Sequence, residues 1–359
     1  MVTRVNDHTG QPVTLDLRSG GWALLLGVAL GAIALVYFIV NARRASDVIA
    51  FDLSTCLVPT EQVVKATSPE ALPPLVEPPL LGPDEAQAYK LPKHGKYLLA
   101  DDRVVGVAIN GEACAYPLRV MHWHEVVDHT VGGTPIAVTY TALTDSARVF
   151  DRRVGGETLE LAASGLVWNS NPLLFDRRAA GPGARPSSLW SQLQARAVSG
   201  PAAVAGQRLE VVPAALTTWA RWRAAHPETR VIAPDPARAE RYRKDPYSAY
   251  AGSELLRFPV APLPPTEPGI THKTVVVVVG PPGERVVYPL PWLAKRVAQD
   301  GGFTTTQDGA QVVFRYGDHP PHVEVDVPAG SGWDVVHASW FAWYSQHPDD
   351  ARLATDLRP

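Results

Sequence analysis

Cysteine is nearly missing from this sequence: only Cys56 and Cys114 occur among 359 residues. At most one intrachain disulfide can form, and the count excludes both a disulfide framework and a cysteine-based zinc centre. Excess charge is missing too. A net charge of −3 with 19% charged residues leaves no bulk electrostatic case for nucleic acid as a partner. The basic, tyrosine-bearing stretch RYRKDPYSAY at 241–250 is too slight in length and sign to change that conclusion. Ready-made catalytic signatures are absent as well. No Walker A motif, dinucleotide fingerprint, haem CxxCH or G-x-S-x-G elbow is present. Ser164 in AASGL is the one serine in a suggestive setting, and nothing in sequence around Cys114 points to an activated thiol.

What is present starts with 46% hydrophobic residues, enough for a packed core. Residues 21–40, GWALLLGVALGAIALVYFIV, carry no charge. At helical rise this run spans about 30 Å, the thickness of a bilayer's hydrocarbon core. A buried core helix would show a polar face, and a cleaved signal peptide would have a shorter apolar region. The run predicts one transmembrane helix in the lipid bilayer, preceded by a tail at 1–20. Arg4 and Arg18 before it balance Arg43 and Arg44 after it, so charge does not set its orientation.

The 34 prolines gather in connecting stretches. Residues 41–96 predict a strap: a short strand at FDLSTCLVP, then extended, non-helical chain held down by Leu72, Leu75, Leu80 and Leu81. Residues 97–235 predict the main β-rich domain, with short β-prone segments between Gly, Asn and Asp turns. A helix closes it, with Trp219, Trp222 and His226 on one stripe before Pro227. A connector at 236–266, a shorter unit at 267–350 and a tail at 351–359 complete the chain. The fold class expected is α+β, β-rich.

The densest run of chemically capable side chains lies in AYPLRVMHWHEVVDHTVGGTPIAVTY from Ala115 onward. Pro117 suits a first helical turn and Gly132-Gly133 a stop. If 118–130 is helical, His122, Glu125 and His129 share a face opposite Val120, Trp123 and Val127. If the run is extended, His122 and His124 share a face instead. Neutral imidazoles with a carboxylate suit zinc or copper. The structural alternative is a solvated face or a His124–Glu125 hydrogen-bonded pair.

The chain also echoes itself. VVGVAINGEACAYPLRV at 104–120 aligns with VVVVVGPPGERVVYPLPWL at 275–293, and Tyr-Pro-Leu recurs at 116–118 and 288–290. Trp219, Trp222, His226 and Pro227 return with the same spacing as Trp340, Trp343, His347 and Pro348. The second copy is truncated and replaces the motif's His122 to Glu125 with Ala294, Lys295, Arg296 and Val297.

GEACAYPLRVMHWHEVV, VGGTPIAVTY, VFDRRVGG, ASGLVWNSN, SLWSQL and TTWARWRAAHPET together resemble domain-of-unknown-function family 3179. Trp123, His124, Glu125, Ser164, Gly165, Asn169, Asn171, Ser188, Trp190 and Gln192 match its pattern. The resemblance implies an exported or membrane-anchored body, here on the periplasmic side of the cytoplasmic membrane. Where the family usually has Cys-Pro-Leu-Cys, this chain has Thr141, Ala142, Leu143 and Thr144. Threonine supports neither soft-metal binding nor thiol redox chemistry. The reading that follows is a membrane-anchored, extracytoplasmic accessory or binding protein, a non-catalytic subunit with other membrane-complex subunits as partners. The alternative is a copper or zinc protein, or a metalloenzyme, built on His122, His124, Glu125 and His129.

Overall fold

The computed structural model describes residues 4–6, 12–14, 51–91, 95–177, 187–300, 302–307, 309–318, 321–328 and 330–354. The chain divides into two compact units, Met1–Ala50 and Phe51–Pro359. In the first, Arg4–Asn6 and Pro12–Thr14 pair antiparallel. The apolar run at 21–40 lies outside the described residues.

The expected fold headed by a single transmembrane helix requires correction. Among the described residues no helix is long and apolar enough to cross a membrane. The longest described helix, Leu290–Asp300, has 11 residues. The described apolar content lies instead in short, β-branched runs such as Val275–Gly280, which favour strands. The fold is β-rich.

Three five-stranded sheets build the larger part of the second unit. One runs in the order Ala215–Thr218, Arg103–Ile109, Glu112–Pro117, Arg230–Ile232, Leu80–Leu81. Another runs Glu210–Val211, Ser146–Asp151, Thr134–Thr141, Val126–Val131, Leu75–Val76. The third runs Arg196–Ser199, Leu189–Ser191, Asn171–Asp176, Leu161–Trp168, Val63–Lys65. The last strand of each comes from the strap. A single stretch, 63–81, thus supplies an edge strand to all three sheets.

Two details of the strap differ from expectation. No strand forms at FDLSTCLVP, where the chain turns with Cys56 N–H donating to Leu53 O at 3.1 Å. A six-residue helix, Pro83–Ala88, interrupts the extended chain. Its proline occupies the first turn, where an N–H would have had no helical partner anyway. Three of the four leucines pack down: Leu81 is buried, and Leu75 and Leu80 lie against the main core, while Leu72 is only half-buried.

Gly165 shows why the strap fits. Its φ is +76°, and a Cβ there would stand 2.4 Å from Thr67 O. The strand bulges between Ala163 and Val167, and Gly165 O accepts from both Ala66 and Thr67. Only glycine tolerates that conformation and that approach together.

A four-stranded sheet in the C-terminal part runs Asp334–Ser339, Val275–Gly280, Val286–Pro289, Arg352–Leu353. Its order and strand directions reproduce the first four strands of the 103–232 sheet, including a final parallel neighbour. The helices match too: Trp219–Ala225 follows Ala215–Thr218 as Trp340–Gln346 follows Asp334–Ser339. Trp222 and His226 have ring centroids 4.0 Å apart, as do Trp343 and His347. Trp219 and Trp340 are both buried. Each part also carries a three-stranded meander, 126–151 in one and 303–326 in the other. The sheet at 161–199 has no counterpart in the C-terminal part among the described residues.

Candidate functional site

The motif around His122 does not form one helix. Only Leu118–Met121 is helical, and Val126–Val131 is a strand paired with Thr134–Thr141. The expected helical face of His122, Glu125 and His129 is therefore corrected: His129 belongs to a strand, and Glu125 sits in the turn before it. The cause is local. Glu125 takes a left-handed φ of +57°, which ends the helical turn one residue before the strand.

The four residues face four settings. His124 is buried, with Nδ1 2.7 Å from Pro73 O in the strap and Nε2 2.9 Å from the Tyr242 hydroxyl in the connector. A carbonyl only accepts, so Nδ1 carries the proton and Nε2 accepts from Tyr242. Burial holds this imidazole below its ordinary pKa, hence neutral. His129 Nδ1 lies 2.7 Å from the Tyr116 hydroxyl, and its Nε2 is 3.9 Å from Glu77. Burial pushes the Glu125 carboxyl up to about 7, against a hydrogen bond from Thr141 that works to lower it. Among the described residues no group of three His, Cys, Asp or Glu side chains could hold a metal ion. The lone pair that His124 would offer is already taken by Tyr242.

His122 is different, for it opens on a cleft of about 450 Å³. Its ring lies 5.6 Å from Tyr140 and 5.8 Å from Tyr247, centroid to centroid. Nδ1 is buried without a hydrogen-bond partner, 3.5 Å from an Asp245 oxygen. Burial lowers the pKa of this imidazole, and Asp245 opposes that shift. Deeper in, Arg103 meets Asp145 through two bonds of 3.0 and 3.1 Å, and Tyr140 donates to the same carboxylate. Burial works to raise the Asp145 pKa, yet the Arg103 charge holds it below the usual carboxylate range. Lys273 closes another side, with Nζ 3.2 Å from the Tyr250 ring centroid. Such a cleft, lined by charged and phenolic side chains, can hold a polar ligand beside the His122 ring.

Asp145, Asp245, Tyr247 and Lys273 were not candidates from sequence. They arrive from a turn, the connector and the second copy, and share no spacing with His122. A cation–π contact of Arg241 with Trp123 at 5.9 Å and the Tyr250 hydroxyl donating to Leu143 O at 3.0 Å hold the connector across this face.

The remaining motif residues form a buried polar network. Asn171 Nδ2 donates to Gln192 Oε1 at 2.8 Å and to Thr144 Oγ1 at 3.0 Å. Ser146 also bonds Gln192 Oε1, and Gln192 Nε2 reaches Thr139. Asn169 donates to Ser345 O and accepts from Ala261 N–H, and Gln346 reaches Trp168 O and Ser191. Ser164 donates to Leu173 O at 2.6 Å. Asn169 and the Gln346 contacts tie the 161–199 sheet to the C-terminal part, while Asn171 and Gln192 tie it to the 126–151 meander. Thr144, one of the threonines at the Cys-Pro-Leu-Cys positions, lies within this network, and its carbonyl accepts from Ser339 N–H. The two thiols are far from such a role: both are free, and burial pushes Cys114 up to about 12.

A model of the family described as Protein of unknown function (DUF3179) matches residues 70–326. No curated protein and no solved structure matches the chain.

Proposed function

The chain belongs to the DUF3179 family, and from that premise we propose that it is a non-catalytic binding or accessory protein that holds partners together. The observation that carries this reading is His124. It matches the family pattern, yet both its ring nitrogens are spent joining strap, motif and connector. A residue that staples three segments serves a scaffold. Asn169, Asn171 and Gln192 support the same reading: Asn169 bonds Ser345 and Ala261, and Asn171 and Gln192 reach Thr144, Ser146 and Thr139 of the neighbouring sheet and turn. The His122 cleft is then a recognition surface, lined by Arg103, Tyr140, Asp145, Tyr247 and Lys273 around the imidazole.

Extracytoplasmic placement belongs to the same proposal and rests on the export habit of the family. An alkaline phosphatase fusion after Pro359 that stays inactive overturns it. For the binding role, protein isolated gently from its own cells is analysed by native mass spectrometry and for metal content. A partner at fixed stoichiometry, weakened by His122→Ala, supports the proposal. A monomer that co-purifies with nothing and carries one metal ion lost in His124→Ala overturns it.

A further inference from the structure

A second and larger cavity, about 1350 Å³, lies away from His122, between the helix Trp219–Ala225 and the C-terminal strands Pro321–Asp326 and Asp334–Ser339. Its volume exceeds the range of roughly 300–1,000 Å³ usual for small-molecule pockets. Leu209, Val211, Val212, Trp222, Val325 and Trp333 give it apolar wall.

Its charges are unevenly settled. On the floor, Arg148 and Arg285 share Asp334 at 2.8 and 3.3 Å, and Arg285 also bonds Asp350 at 2.7 Å. Both guanidinium groups keep a buried Nε without a partner, and Arg148 is only 4% exposed. Elsewhere in the lining, Arg221 pairs with Glu324 and Arg315 with Asp326. Arg196 and Arg208 do not pair with a carboxylate among the described residues. They come from facing chain segments joined by an isolated bridge, and among the described residues their guanidinium groups bond Gln194, through its side chain and its carbonyl respectively. Burial and the neighbouring Arg208 charge lower the Arg196 pKa. Two adjacent cations without an anion cost free energy that a bound anion would recover.

We propose that this cavity binds an amphipathic organic anion, with its carboxylate or phosphate head on Arg196 and Arg208 and its apolar body along Val211, Val212 and Trp222. The unpaired arginines select the charge, and the apolar wall with its large volume selects a long hydrocarbon body. This goes beyond the accessory role and does not depend on the His122 cleft.

Isothermal titration of the full chain tests the proposal with four probes sharing a twelve-carbon tail: dodecanoate, dodecyl phosphate, dodecanol and dodecyltrimethylammonium, all below their micellar concentrations. Saturable binding of at least one anion, about tenfold tighter than either uncharged or cationic probe, is expected. That factor is the loss of about one charge-assisted bond. The two anions compared with each other tell carboxylate from phosphate recognition. Arg196→Ser with Arg208→Ser should weaken the anion about tenfold or more, while His122→Ala leaves it unchanged. Both arginines are at least partly exposed, so the double variant is expected to fold, and circular dichroism verifies it. Absence of binding, equal binding of dodecanol, or anion affinity indifferent to the double substitution in folded protein overturns the proposal.

Discussion

The hydroxyl of Tyr242 stands 2.9 Å from Nε2 of His124, 118 residues earlier in the chain. With Pro73 O on the other nitrogen, the imidazole has neither a lone pair nor an N–H to spare. A histidine in this state is a fastener. It also explains how a proline-rich connector holds its course across the motif.

Breaking that bond should be measurable as stability. Tyr242→Phe leaves His124 Nε2 buried and unpaired, which costs about 1–3 kcal/mol. His124→Ala strands both Pro73 O and Tyr242 and should cost at least as much. A double-mutant cycle followed by urea unfolding should show coupling of about 1 kcal/mol. Additive losses would mean that the two residues act separately.

The thiols should report burial directly. Cys114 is wholly buried and its thiol is pushed up to about 12, whereas Cys56 is partly exposed. A thiolate-seeking reagent at pH 8 should modify Cys56 alone in native protein and both residues in denaturant. Equal reactivity of the two in the native state would contradict the position of Cys114 in the core.

Gln192 offers a test of the buried network. It has no exposed surface and bonds Asn171, Ser146 and Thr139. Gln192→Leu is close in volume but leaves those partners unmet, at a cost of about 2–4 kcal/mol. Replacing a solvent-facing residue such as Glu240 should cost almost nothing. A network loss below about half a kcal/mol would show that water fills the gap easily.

Gly165 tests the strap. An alanine there meets Thr67 O at 2.4 Å and must hold a φ of +76°. Gly165→Ala should therefore loosen the segment that edges all three large sheets. Limited proteolysis should then cut within 63–81 before any other described segment. A variant as resistant as the parent would show that the strap shifts without letting go.

Much of the strand pattern was legible in sequence, because Val104–Ile109, Ile136–Tyr140 and the valines from Val275 are β-branched and bounded by turn residues. The Trp-x-x-Trp-x-x-x-His spacing was also visible, since it places two rings one helical turn from a capping histidine. The His122 motif was misread for a local reason. Leu118–Met121 does begin a helix, but the left-handed Glu125 cuts it off, and no periodicity count contains a sign change of φ. The leucines show in sequence that the strap packs down, but its sheet pairings stay hidden, since strands of two or three residues are too short to show alternation; only their partners reveal them. Asp145, Tyr247 and Lys273 could not be placed beside His122, because long-range packing alone brings them there. The large cavity escaped for the same reason, its arginines coming from both parts of the chain.

Glu125 gives a pH dependence with a definite sign. Burial raises its carboxyl from 4.5 to about 7. Below pH 4.5 the residue is protonated in both folded and unfolded chains and costs nothing. Between 4.5 and 7 the unfolded chain releases the proton while the folded chain retains it, so stability falls as pH rises. Above 7 the full cost is present, on the order of 3 kcal/mol for a gap of this size. Asp128, also pushed up to about 7 by burial, adds a similar slope of its own. His124 slopes the other way, because its lowered pKa removes stability as pH falls below 6.5. Comparing Glu125→Gln with the parent cancels both of those contributions. The variant should match the parent near pH 4.5 and exceed it by an amount that grows up to pH 7 and then levels. Urea unfolding at pH 4.5, 6 and 8 checks this. A difference that stays constant across the three, or grows toward acid, would mean that Glu125 ionises as freely in the folded chain as in the unfolded one.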